Sequence, residues 1–170
     1  MRTGRDDAGV TRSSASAGRG HGRALDEVSK RIIEQLQSDG RRSYAAIGKA
    51  VGLSEAAVRQ RVQRLVDTGV MQIVAVTDPM QVGLFRQAMI GIEVEGDVEA
   101  VAEQLTAMDE ITYVIVCAGS FDLLCEVVCE DDGHLLEVLS KRIRAIPAVR
   151  HTETFVYLKL CKQTYQWGTR

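Results

Sequence analysis

Hydrophobic residues recur at helical spacing in three successive stretches between residues 25 and 66. Each stretch sets apolar side chains three or four positions apart, which aligns them on one side of an α-helix. Ser43 and Ser54 precede the second and third stretches, and serine is a favoured helix N-cap. The pattern predicts three short amphipathic helices, with apolar stripes at Leu25, Val28, Ile32 and Leu36, at Tyr44, Ile47 and Val51, and at Val58, Val62, Leu65 and Val66.

The third predicted helix is polar and basic on the side away from its apolar stripe. At about 100° per residue that side is centred on Ala56, Gln60, Gln63 and Arg64. Gln pairs bidentately with adenine and Arg with guanine in the major groove. Two helices joined by a turn containing Gly52, the second one basic, are typical of a helix-turn-helix. From these residues alone, a solvated helix in an ordinary small bundle is the alternative.

The period of the pattern changes after a β-branched segment at residues 71–77, which predicts a strand linking two domains and ending at Asp78-Pro79. Alternating or continuous apolar runs then predict strands at 88–94, 111–118, 123–129 and 149–160, and helical spacing predicts helices at 98–108 and 135–146. Two βαβ units in series form a ferredoxin-like sandwich with both helices on one sheet face. We expect the other face to be covered by self-association.

The predicted fold class is α+β, with an N-terminal winged-type helix-turn-helix domain followed by a ferredoxin-like βαββαβ regulatory domain. The predicted divisions are a disordered N-terminal extension (1–23), the helix-turn-helix domain (24–70), a linking strand and hinge (71–85), the ferredoxin-like effector-binding and oligomerisation domain (86–161) and a C-terminal tail (162–170).

Charge is unevenly distributed between the two halves. Residues 79–170 carry eight basic and fourteen acidic side chains, whereas the whole chain has a net charge of only -2. This distribution suggests that the front half meets a polyanion and the back half does not. Six basic side chains oppose the single acid Glu55 between residues 41 and 64, namely Arg41, Arg42, Lys49, Arg59, Arg61 and Arg64.

Composition indicates a globular protein, with 45% hydrophobic and 26% charged residues. No window is apolar enough to span a bilayer and the N-terminus lacks the hydrophobic core of a signal peptide, so we expect a cytoplasmic protein without membrane contact. The four cysteines form no C-x-x-C pair, and free buried thiols are expected rather than a metal site. No catalytic set or cofactor motif is apparent in the ferredoxin-like half, which argues against an enzyme there.

The order of these elements, together with local motifs, resembles the leucine-responsive regulator (Lrp/AsnC, feast/famine) family from about Leu25 to Lys162. The matching motifs are Leu25-Asp26, Asp39-Gly40-Arg41, Val51-Gly52-Leu53-Ser54, Arg61 through Leu65, Gly69-Val70, Asp78-Pro79, Gly119 with Asp122, and Val149 followed by Thr152 and Thr154. Ser29 and Ala46 depart from the family, which often has Asp and Glu at those positions.

The resemblance implies dimers of DNA-binding heads on a regulatory core, often assembled into octamers, and an effector, usually an amino acid, bound between subunits. Its effector site would include the residues Gly119, Ser120, Phe121, Asp122, Thr152 and Thr154. Asp122 is suited to an α-ammonium group and the Gly119 region to a carboxylate. Without the family, Asp122 is simply a turn residue and the threonines reflect β propensity.

The leading hypothesis is a sequence-specific, effector-responsive transcription regulator that binds double-stranded DNA. Arg41, Arg42 and Lys49 are predicted to contact phosphates, and helix residues are predicted to recognise bases. An architectural DNA-compacting protein with little effector response is the alternative. The predicted DNA-binding residues are Arg41, Arg42, Ser43, Tyr44, Lys49, Ser54, Glu55, Ala57, Arg59, Gln60, Arg61 and Arg64.

Overall fold

Three helices build the N-terminal part of the computed structural model, which describes residues 25–170. They are α1 (Glu27–Ser38), α2 (Tyr44–Val51) and α3 (Glu55–Asp67). Asp26, Ser43 and Ser54 are their N-caps, and each side chain accepts a hydrogen bond from a first-turn backbone N–H. The predicted N-terminal extension lies outside the described residues.

The apolar stripes of the three helices meet in one core, as the sequence pattern predicts. Gly48 of α2 lies close against the turn that leads to α3, because a Cβ atom there would lie 2.5 Å from the carbonyl oxygen of Leu53. Gly52 ends α2 with a φ of 77°, a conformation that favours glycine. The buried members of this core are Ile32, Leu36, Ile47, Val51, Val58 and Val62.

The linking strand predicted at 71–77 is not formed within this chain. A strand needs a hydrogen-bonded neighbour, and none of the described residues pairs with this segment. Ile73, Val74 and Val76 are instead 50–58% exposed. Residues 25–73 of the described chain form three helices and no strand. A 3-10 turn, Pro79–Val82, follows.

Four antiparallel strands form the sheet of the C-terminal part, in the order β2-β3-β1-β4. The strands are β1 (Arg86–Val94), β2 (Ile111–Val116), β3 (Leu123–Cys129) and β4 (Val149–Val156). Helix α4 (Val98–Thr106) joins β1 to β2, and α5 (Asp132–Glu137) follows β3. This order, with central strands β1 and β3, is that of the predicted ferredoxin-like sandwich.

The two helices cover one face of the sheet and create its core. Ile90, Ile92, Leu123 and Val127 are fully buried there against Leu105 and other helix residues. Alternation along β3 explains this burial, because every second residue from Leu123 to Cys129 faces the helices. The sheet therefore has one covered face and one open face.

Several predicted element boundaries differ from those of the structure. The helix expected at 135–146 is α5 followed by a π-helical segment, Val138–Ile143, a rare geometry that often occurs at functional sites. The last strand ends at Val156 rather than at residue 160. Consequently Cys161 is exposed, whereas Cys125 and Cys129 are buried free thiols as expected.

The described chain divides into two compact units. One comprises residues 25–73 together with Tyr165–Arg170, and the other comprises Val74–Thr164. The chain thus crosses from the first unit to the second at residue 73 and returns at residue 165.

Candidate functional site

Helix α3 presents an open surface groove of about 590 Å³ on its outer side. Gln60 and Arg64 are exposed in its centre. Because Val58, Val62 and Leu65 are buried on the opposite side, the helix cannot rotate without losing its core. The groove is lined by Ala56, Arg59, Gln60, Gln63, Arg64 and Asp67.

Gln63 belongs to this groove, although it is absent from the predicted DNA-binding residues. Its position three residues after Gln60 places it on the same helix side, so helical spacing was the available signal. Its side-chain amide donates to Asp67 Oδ1 at 2.7 Å. Gln63 is therefore a further candidate for contact with a base or phosphate.

Arg59 is held between two other predicted DNA-binding residues. Its guanidinium group is 3.0 Å from Glu55 Oε1 and its Cζ lies 5.2 Å from the centre of the Tyr44 ring. An exposed ion pair of this kind contributes little stability. Arg59 can therefore exchange Glu55 for a phosphate at low cost.

Arg61 has partners inside the unit. Its Nη1 donates to Asp26 Oδ2 at 2.6 Å and to Ser29 Oγ at 3.1 Å. The hydrogen bond from Arg61, together with those from the backbone and hydroxyl of Ser29, lowers the pKa of Asp26 to about 2. The geometry supports a structural role for Arg61, and it gives Ser29, a departure from the family pattern, a place in the same network.

The remaining predicted DNA-binding residues surround the groove-bearing helix within the same unit. Arg42, Tyr44 and Ala57 are half-buried. Ser43 and Ser54 use their hydroxyl groups as caps, at 3.2 Å from Ala46 N and Ala57 N. The exposed residues of the set are Arg41, Ser43, Lys49, Ser54, Glu55, Arg59, Gln60 and Arg64.

In the second unit, Asp122 fastens the Gly119–Asp122 turn to strand β1. Its Oδ2 accepts from Val94 N at 2.8 Å, and its own N–H donates to the carbonyl oxygen of Ile92 at 3.0 Å. Phe121 lies over Gly91, where a Cβ atom would meet its ring at 2.6 Å. Gly119 and Ser120 remain exposed. The turn is thus anchored at Phe121 and Asp122 and open at its tip.

Thr152 and Thr154 lie on the helix-facing side of β4, because they pair with the buried residues Ile92 and Ile90. Ile92 also pairs with Leu123, directly after the turn. Two strand spacings separate Leu123 from Thr152, or roughly 10 Å. The turn and Thr152 therefore occupy the same end of the sheet, as the resemblance implies.

Arg144 is a candidate residue that the sequence interpretation missed. Its Nε donates to Thr152 Oγ1 at 2.8 Å, although Thr152 is 8% exposed. Both residues line an open cavity of about 280 Å³ with Val149, Arg150 and His151. In the sequence, Arg144 is only a basic residue near the end of the helix predicted at 135–146. The π-helical segment before Arg144 directs it to β4, and sequence does not reveal that segment.

The open sheet face carries large apolar side chains and one carboxylate near its centre. Tyr113 and Phe155 are 55% and 46% exposed. Between their strands, Glu126 accepts from Tyr157 Oη at 2.9 Å and from Thr112 Oγ1 at 3.2 Å. Burial and the Glu126 hydrogen bond raise the pKa of Tyr157 to about 12. An apolar face of this kind is typical of an association surface.

Residues 25–170 contain no cluster of three His, Cys, Asp or Glu side chains able to hold a metal ion. Over the same span, every helix is too short or too polar to cross a membrane.

A helix-turn-helix unit with an exposed basic helix and a ferredoxin-like unit with an open face define a DNA-binding regulator. Residues 25–66 match the AsnC-type helix-turn-helix domain, and residues 84–170 match a family described as a C-terminal dimeric alpha+beta barrel domain. The chain belongs to the Lrp/AsnC family of transcriptional regulators. It is a DNA-binding regulator and not an enzyme.

Curated relatives extend over nearly the same length. The chain is 33% identical over 146 residues to an uncharacterized HTH-type transcriptional regulator of Pyrococcus furiosus, covering 85% of this chain and 96% of the relative. It is 34% identical over 145 residues to the proline dehydrogenase transcriptional activator of Rhizobium radiobacter, covering 82% and 93%.

Solved structures share the fold. Escherichia coli AsnC matches with a TM-score of 0.72 and 25% identity, covering 82% of this chain and 95% of that chain. Mycobacterium tuberculosis LrpA matches with a TM-score of 0.74 and 27% identity, covering 82% and 96%. A Neisseria meningitidis regulator described as an L-Met complex has a TM-score of 0.74 at 23% identity, covering 84% and 95%, and this likeness concerns the fold.

Proposed function

We propose that this protein is a sequence-specific transcriptional regulator in the cytoplasm whose DNA affinity or assembly responds to an amino-acid effector. The observation that supports DNA recognition most directly is the outer side of α3. It exposes Gln60, Gln63 and Arg64 together on a helix fixed by its buried side. Amide and guanidinium groups recognise base edges in the major groove, while Arg41, Arg42 and Lys49 supply sequence-independent phosphate contacts.

The effector proposal rests on the end of the sheet that holds both the Gly119–Asp122 turn and Thr152. Arg144 uses Nε for Thr152, and a guanidinium group has four further N–H donors suited to a carboxylate. Asp122 uses Oδ2 for Val94, and a carboxylate accepts several hydrogen bonds. We assign the effector carboxylate to Arg144 and its ammonium group to Asp122, with Gly119, Ser120, Phe121 and Thr154 as neighbouring candidates.

Association follows from the open sheet face. A second copy placed on that face would bury Tyr113 and Phe155, and the matched family domain is dimeric. The exposed β-branched segment at 73–76 would gain a strand partner in such an assembly. Further association to octamers provides a mechanism of regulation, because an effector bound between subunits favours one assembly over another.

A thermal-shift screen with the twenty amino acids tests the effector proposal. At least one amino acid should stabilise the protein, and methionine is tested first. The carboxamide of the stabilising amino acid should give no shift, because it lacks the carboxylate. Arg144→Met and Asp122→Asn should each abolish the shift. Lys141→Met is the matched control, because Lys141 is 74% exposed one turn before Arg144, and it should retain the shift.

Absence of any shift with the wild type would remove the support for an effector and favour the architectural alternative. A DNA-compacting protein would bind duplexes with an affinity, footprint and oligomer size that no amino acid changes.

A further inference from the structure

The C-terminal residues lie along the outer side of α1, the first helix of the DNA-binding unit. Gln166 Nε2 donates to the carbonyl oxygen of Gln37 at 2.6 Å, and Gly168 N donates to Gln37 Oε1 at 3.1 Å. Thr169 Oγ1 donates to Glu34 Oε1 at 2.6 Å. Three contacts therefore join Gln166, Gly168 and Thr169 to the C-terminal half of α1.

The end of α1 needs donors from elsewhere. The last carbonyl groups of a helix have no partner within it, and α1 ends at Asp39 in extended conformation, without a left-handed glycine or a basic residue in its last turn. The Gln166 amide supplies a donor to one of these carbonyls. Gly168 has a φ of 70°, which favours glycine and lets its N–H point to the Gln37 side chain.

The contact between residues 166–169 and α1 brings the chain back to the DNA-binding unit. Residues 165–170 belong to the same compact unit as α1, although the chain has by then passed through the whole second unit. The DNA-binding unit is thus attached to the ferredoxin-like unit through two segments, at residues 73–74 and 164–165. Only residues 157–164 separate the docked segment from the end of β4.

We propose that residues 165–170 are a C-terminal strap that caps α1 and gives the DNA-binding unit a second covalent tether. Its docking surface is the C-terminal half of α1, through Glu34 and Gln37. The strap restrains the DNA-binding unit and couples it to strand β4. This inference concerns the stability and freedom of the helix and does not depend on an effector or on bound DNA.

Trp167, the only tryptophan of the chain, provides a probe within the strap. Its side chain is 74% exposed, so its emission reports segment motion. In the wild type we expect the fluorescence anisotropy of Trp167 to be as high as that of a tryptophan held in a folded unit. Glu34→Ala combined with Gln37→Ala should lower it toward that of a free chain end, which moves on the nanosecond timescale. Glu27→Ala, on the first turn of the same helix, is the matched control and should leave the anisotropy unchanged.

Hydrogen exchange tests the capping role in the full-length protein. Deletion of residues 165–170 should accelerate exchange of the amides of 36–39 about 2- to 10-fold, since exposed hydrogen bonds are lost next to a helix end. Thr169→Val should give a smaller acceleration. Amides of β1 and β3 should exchange as in the wild type.

A wild-type Trp167 that rotates as freely as in the Glu34→Ala, Gln37→Ala variant would overturn the proposal. So would exchange at 36–39 that deletion of the strap leaves unchanged. Both measurements omit amino acids and DNA, so their failure is distinct from a failure of the proposed function.

Discussion

Arg61 Nη1 lies 2.6 Å from Asp26 Oδ2, which joins the recognition helix α3 to the N-cap of α1. The same nitrogen also reaches Ser29 Oγ. Arg61, which the sequence assigns to the DNA-binding surface, therefore stabilises the arrangement of α1 and α3. Helix α3 presents the neighbouring residues. We propose that base recognition falls to Gln60, Gln63 and Arg64, which lie on the groove side of α3.

Acid should weaken the DNA-binding unit through Asp26. Its pKa falls from 3.8 to about 2 on folding, so its contribution is present above about pH 4 and is lost as the pH falls through about 2. Asp26→Asn keeps an N-cap acceptor but lacks the charge. The wild type should have a higher unfolding midpoint than Asp26→Asn at pH 7, and the difference should shrink as the pH falls through about 2. A difference that is constant with pH would contradict the role given to this ion pair.

Gly48→Ala should destabilise the protein, although alanine favours helix by about 1 kcal/mol relative to glycine. The added Cβ would lie 2.5 Å from the backbone oxygen of Leu53, and backbone cannot move aside as a side chain can. We expect a net loss of about 1–3 kcal/mol in the free energy of unfolding by urea. Gly40→Ala is the control, since the nearest atom, the Leu36 carbonyl oxygen, is 3.8 Å from its Cβ. Equal stabilities for both variants would refute the close approach.

Gln60→Ala and Arg42→Ala should weaken DNA binding in different ways. Gln60→Ala should reduce affinity for an operator selected from random duplexes by about 1–3 kcal/mol and leave random DNA unaffected. Arg42→Ala should weaken both and lower the salt slope by about 1, as expected for a phosphate contact. Fluorescence anisotropy titrations at several salt concentrations measure both effects. Identical losses on both DNAs for the two variants would disprove this division of roles.

Phe155→Glu should produce a monomer. The residue is 46% exposed on the open sheet face, and a dimer formed there would have to bury an unpaired charge. Sedimentation velocity measures the change. Leu136→Glu, at a 65% exposed position on α5, is the control and should remain associated. A dimer that persists with Phe155→Glu would place the interface elsewhere.

Local chemistry explains why so much of the fold could be predicted from sequence. Ser43 and Ser54 mark helix starts, and the alternation from Leu123 to Cys129 assigns the buried side of β3 directly. Contacts between residues far apart in the sequence were harder to predict. The position of Arg61 in the helical pattern is the same whether its side chain contacts DNA or Asp26. The π-helical segment before Arg144 and the docking of residues 166–169 on α1 depend on tertiary geometry. The segment at 71–77 has strand composition, yet a strand requires a partner that the described chain does not provide.

We propose that an amino acid bound near Arg144 and Asp122 alters DNA recognition by α3. The most direct test is the affinity for the selected operator, measured with and without the amino acid that stabilises the protein in the thermal-shift screen. We predict a change of at least about fivefold in the wild type and in Lys141→Met, and none in Arg144→Met. Operator affinity that stays the same in the wild type with each of the twenty amino acids would contradict the claim.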